Sequence, residues 1–91
     1  MNSDHGWQCL AEAIVRQACA DYDAALRMRA RHPDQPRWHA ICASQVRFFR
    51  SEWFSLLTPI DGTALERSVR LYAETPGSVP LSARSDPLPW G

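Results

Sequence analysis

Apolar positions along the chain fall into three helical stripes, separated by two short breaks and followed by a stretch without periodicity. Trp7, Ala11, Ile14, Ala18, Tyr22 and Ala25 advance in steps of four and three, and Leu10, Val15 and Leu26 widen the stripe. That is the spacing of one buried helix face. No Pro or Gly interrupts residues 7–32, and the segment is rich in Ala, Arg and Leu, all good helix formers. His32-Pro33-Asp34-Gln35-Pro36 then ends it, because a residue before proline is pushed out of helical geometry. Asp34 is the expected N-cap of the next helix, with Pro36 in its first turn.

In the second stripe Trp38, Cys42, Val46, Phe49, Trp53 and Leu57 step by four, four, three, four and four, and Ile41, Phe48 and Leu56 broaden the face. The stretch RFFRSEWF, residues 47–54, therefore reads mainly as core. Phe49 and Trp53 lie on the stripe and Phe48 borders it. Arg47 and Arg50 flank the seam, where their stems can cover its edges. Phe54 falls off the stripe and is the aromatic expected to stay exposed. Ser51 can restart a separate short helix at Glu52.

Three start signals overlap before the third stripe: Thr58 before Pro59, Asp61 before Gly62, and Thr63 three residues ahead of Glu66 as a capping box. They predict a helix over 62–74 that buries Leu65, Val69 and Tyr72 and stops at Pro76-Gly77. The remaining TPGSVPLSARSDPLPWG has four prolines in seventeen residues and reads as an extended tail. The expected fold is all-α: an antiparallel helical hairpin plus a third packed helix over 7–74, with a short extra turn at 52–57, and a Pro-rich tail over 75–91. A hairpin turn centred near Asp34 sets side by side residues whose numbers sum to about 68. Tyr22 then meets Val46, Ala18 meets Arg50, and Asp21 comes within reach of Arg47 for a structural ion pair.

Ninety-one residues make one small domain, and 45% apolar with 22% charged residues is an ordinary globular balance. Ten basic side chains, all arginine, balance ten acidic ones, so no global charge points to nucleic acid or membrane. No apolar run approaches the ~20 residues of a membrane span. Cys9, Cys19 and Cys42 include no CxxC pair, so neither a disulfide framework nor a zinc ribbon is signalled, and a cytoplasmic location is expected.

Chemistry-bearing constellations are sparse. His5 and Cys9 have the spacing of two metal ligands on one helix face, but Gly6 lies between them near the chain start. Cys42 with His39 or His32 lacks an activating context for a nucleophile. Asp21 and Asp23, two apart on a helix, point to different faces. No catalytic residue, metal or cofactor is expected. One local cluster remains: Arg27, Arg29, Arg31, His32, Arg37 and His39 gather at the hairpin tip against only Asp34. Cations there complement the helix dipole, and they are also the candidate basic patch for phosphates or an acidic partner.

Three stretches together carry a resemblance: Asp21-Tyr22 followed by Ala25-Leu26, then Phe48-Phe49-Arg50-Ser51 with Trp53-Phe54, then Leu57-Thr58 with Asp61-Gly62. The chain from Ala13 to Glu74 resembles a group of small proteins from prophages and integrative elements of gut clostridia and their relatives. Members usually carry more lysine and end soon after the third helix, so the arginine composition and the Pro-rich tail are departures. The resemblance implies a mobile-element accessory protein that binds a host protein without catalysis, with anti-defence inhibitors of the anti-CRISPR kind as a subclass. The contact residues expected on that reading are Phe54, Leu88 and Trp90. Alternatives are a small nucleic-acid-binding regulator using the arginine-rich tip, and a structural homo-oligomer such as a homodimer.

Overall fold

The computed structural model describes residues 3–83. Four α-helices follow one another: α1 Ser3–Arg31, α2 Pro36–Phe49, α3 Glu52–Leu57 and α4 Gly62–Glu74. A 3-10 turn, Leu81–Ala83, closes the described chain. No strand occurs among the described residues. None of these helices is long and apolar enough to cross a membrane.

The long α1 is the spine against which the other elements pack. Its start at Ser3 precedes the expected Trp7, so Gly6 is carried inside the helix. Its buried apolar residues Ala11, Val15, Ala18, Tyr22, Ala25 and Leu26 belong to the predicted stripe, but Trp7 and Leu10 at its start are exposed, Ile14 is half-buried, and Asp23 is buried beside it. Small residues dominate that face, which lets the neighbouring helices come close, and aromatic rings from α2 and α3 fill the space between them. Tyr22, Phe48, Phe49 and Phe54 form a continuous cluster with centroids 5.5 to 5.9 Å apart in tilted and edge-on pairs, the geometry that the ring quadrupole favours. Tyr22 thus touches Phe49, one turn beyond the expected Val46, while Val46 is half-buried against the same core.

The α1–α2 connection differs in one detail from its sequence signals. The N-cap of α2 is Gln35, not Asp34, and its side chain makes no cap hydrogen bond. Instead Gln35 Oε1 accepts the indole N–H of Trp38 at 3.1 Å. Pro36 sits in the first turn as expected.

The break inside RFFRSEWF decides which rings are buried. Ser51 is the N-cap of α3: its hydroxyl accepts from the Phe54 backbone N–H at 3.2 Å and donates to the Phe48 carbonyl at 2.7 Å. That break resets the helical phase, so positions counted four ahead from α2 no longer share its face. Phe54 is 1% exposed and Trp53 is 53% exposed. Both expectations are reversed: Phe54 is core and Trp53 faces outward.

Asp61 caps α4, its carboxylate accepting from the Thr63 N–H at 3.0 Å. Gly62 beside it is required by close approach. A Cβ built at that position would lie 1.8 Å from the Phe49 carbonyl oxygen. The start of α4 therefore rests on the end of α2, with backbone against backbone. Glu66 does not complete the expected capping box. It turns inward and accepts the phenolic O–H of Tyr22 at 2.5 Å. Arg70, one turn along, lies 3.5 Å from the same carboxylate.

After α4 the chain reverses. Pro76 and Gly77, the latter at φ +81°, occupy the middle of a turn closed by the Ser78 N–H donating to the Thr75 carbonyl at 3.2 Å. Proline followed by a positive-φ glycine is the sequence of a type II turn. Residues 78–81 then lie back along α1 as a strap, with Leu81 packed against the core. The expected extended tail thus begins as a docked segment. Leu88 and Trp90 lie outside the described residues.

Candidate protein-contact surface

Two polar clusters, centred on the buried carboxylates of Glu66 and Asp23, tie α1 to α4 and to the strap. The first is Tyr22, Glu66 and Arg70, joining α1 to α4. Burial, followed by the hydrogen bond to Glu66 and that carboxylate's charge, pushes the Tyr22 phenol well above the usual tyrosine range, with Arg70 acting in the opposite direction.

The second is built on Asp23, whose side chain is fully buried. Its two oxygens accept Arg27 Nε at 3.1 and 3.0 Å, and Oδ2 also accepts the Leu81 N–H at 2.9 Å. The rest of the Arg27 guanidinium donates to the Ser78 carbonyl at 3.1 Å and to Ser78 Oγ at 2.8 Å. Its carbon lies 5.7 Å from the Tyr72 ring centroid. The Tyr72 hydroxyl in turn donates to the Val79 carbonyl at 2.5 Å. The cluster thus binds the chain's own strap. Apolar periodicity gave no sign of it. The one available signal was Asp23 and Arg27 at i, i+4, the separation of a same-face ion pair.

The expected pair of Asp21 and Arg47 does not form. Asp21 is exposed and accepts from Gln17 Nε2 at 2.9 Å. It borders a shallow groove between α1 and α2 with Ile14, Gln17, Ala18, Ser44, Gln45 and Phe48. Arg47 stands about 100° around α2 from Phe48 and so leaves that face.

The basic patch is also smaller than its sequence cluster. Arg27 is spent on the strap, and Arg29 and His32 are half-buried. Arg37 lies over the Trp38 ring, 4.6 Å from its centroid, and His39 Nε2 is 2.9 Å from the Pro33 carbonyl. Arg31, Arg37 and His39 stay exposed. Cys42 is buried, and burial raises its thiol pKa despite a lowering influence from Arg29. A thiol so placed stays protonated at neutral pH and is a poor nucleophile. Among the described residues no three His, Cys, Asp or Glu side chains converge as metal ligands.

Several large apolar side chains are exposed as well. On α3 and the following loop Trp53, Leu56 and Ile60 are each more than half exposed, although their neighbours Phe54 and Leu57 are buried. Arg50 and Glu52, both exposed, precede them. Trp7 and Leu10 leave a second apolar stretch on the outer face near the start of α1. The surface forms because Ser51 stops α2 and caps a new helix, turning one side of α3 to the core and the other outward.

Comparison with family models, curated proteins and solved structures finds no match to this chain.

Proposed function

We propose that this is a non-catalytic accessory protein that binds a host protein through the outer face of α3. The observation that carries the reading is the exposure of Trp53 and Leu56 on α3 and of Ile60 in the following loop, beside the buried Phe54 and Leu57. Contiguous exposed apolar side chains rimmed by charge are typical of protein-binding surfaces, and tryptophan is over-represented among residues that dominate binding energy. The contact residues move accordingly from Phe54 to its neighbour Trp53. The buried carboxylates Asp23 and Glu66 are both engaged by groups of the fold itself, which favours binding over catalysis. The resemblance to proteins of prophages and integrative elements supports the finer reading, in which the partner is a host defence protein blocked by occupation of its surface.

The test is affinity capture from a host lysate with the wild type and with a Trp53→Ser, Leu56→Ser, Ile60→Ser variant. The variant should keep its unfolding midpoint and lose the captured partner. Retention of the same partner would place the contact elsewhere on the molecule.

A further inference from the structure

The strap formed by residues 78–81 is held on α1 by Asp23 and Arg27, more than fifty residues away in sequence, and on α4 by Tyr72, seven residues before Val79. Asp23 takes the Leu81 N–H, Arg27 takes the carbonyl and hydroxyl of Ser78, and Tyr72 takes the Val79 carbonyl. The Leu81 side chain adds an apolar anchor against the core. Three of these four contacts are to the strap's backbone, so the clamp reads an extended chain more than particular side chains. Only one hydrogen bond, from Ser78 N–H to the Thr75 carbonyl, belongs to the turn that brings the strap home.

We propose that this clamp can also take the same segment of a second copy, so that chains whose hinge disfavours folding back exchange residues 78–81 into a dimer. The structure displays the fit of that occupant atom by atom, and an exchanged strap would remake each contact without a new surface. The choice between folding back and exchanging rests on the short hinge 75–77. Gly77 at φ +81° favours folding back, because an L side chain is strained there. Its Cβ direction is open space, so a substitution strains the turn without disturbing packing. An intramolecular strap acts at an effective concentration on the order of millimolar, so the wild type stays monomeric in dilute solution. Straining or shortening a hinge is the general route by which exchange is favoured.

Sedimentation velocity over a range of protein concentrations tests this with full-length chains. Gly77→Val should convert the monomer to a dimer whose share grows with concentration. Deleting Pro76 and Gly77 should do the same by shortening the hinge instead of straining it. Adding Leu81→Asp to either variant should return the monomer, with helical circular dichroism unchanged, because the anchor is lost in both arrangements. Folded monomers from both hinge variants would overturn the proposal. So would a dimer that survives Leu81→Asp, since it would be held by another face. The outcome is independent of host-protein capture, which is read with the strap intact.

Discussion

Gly62 and Tyr22 each hold a place that a closely related residue could not fill. At Gly62 a methyl group would collide with the Phe49 carbonyl, so Gly62→Ala must push the start of α4 away from the end of α2. The expected cost is at least about 2 kcal/mol, seen as a lower urea midpoint with an unchanged slope. Tyr22→Phe keeps the ring in the aromatic cluster but leaves buried Glu66 with Arg70 alone, 3.5 Å away, at a cost of about 1–3 kcal/mol. The pH dependence has a definite sign. The folded state holds the Tyr22 proton more tightly than the unfolded chain, whose phenol titrates near 10.0. Stability from this group is complete below that pH and falls above it, by up to about 1.4 kcal/mol per pH unit. Urea midpoints measured from pH 9 to 11 should show this fall in the wild type. Tyr22→Phe should remove the Tyr22 part, while the raised thiols of Cys19 and Cys42 still contribute a decline from lower pH.

Helices α1, α2 and α4 follow from apolar spacing and from Pro and Gly punctuation, and they were legible in the chain. The short α3 depends on a single hydroxyl. Six residues cannot sustain a helix alone, so α3 exists because Ser51 caps it and Phe54 and Leu57 are buried beneath it. Ser51→Ala should cost about 1–2 kcal/mol and raise hydrogen exchange in residues 52–57 before the other helices are affected. The same hydroxyl explains why the contact surface was misread. Periodicity assumes one continuous helix, and a break of a residue or two rotates everything beyond it. Trp53 and Phe54 therefore changed places although the segment was correctly assigned as helical. The strap was illegible for a different reason. Its stability comes chiefly from Asp23 and Arg27, far away in sequence, with Tyr72 nearer by, and nothing within Ser78-Val79-Pro80-Leu81 announces them. Among the residues of the three quoted stretches, Ser51 and Asp61 cap helices, Gly62 permits close approach, and Phe49 and Phe54 fill the core.

For the whole molecule, α1 works as a shared wall: α2 lies against one side of its buried stripe, and α4 with the strap lies against the other. Asp23 is nine residues beyond Ile14, half a turn around the helix, so the clamp and the α1–α2 groove occupy opposite sides of that wall. Asp23→Ala leaves the Arg27 guanidinium without its buried counter-charge and releases Leu81. A loss of about 3–5 kcal/mol is expected in equilibrium unfolding, with residues 78–83 losing hydrogen-exchange protection first. The strap also gives the molecule a directional mechanical response. Pulled from the C-terminal side, it would be loaded like a zipper, with the bond to Leu81 breaking before those to Val79 and Ser78. Up to roughly 25 Å of chain, from the seven residues 75–81 at about 3.5 Å each, would be released before any unwinding of the helices. The same load applied at the N-terminal end of α1 would act first on the exposed residues 6–10 and meet packed side chains only at Ala11.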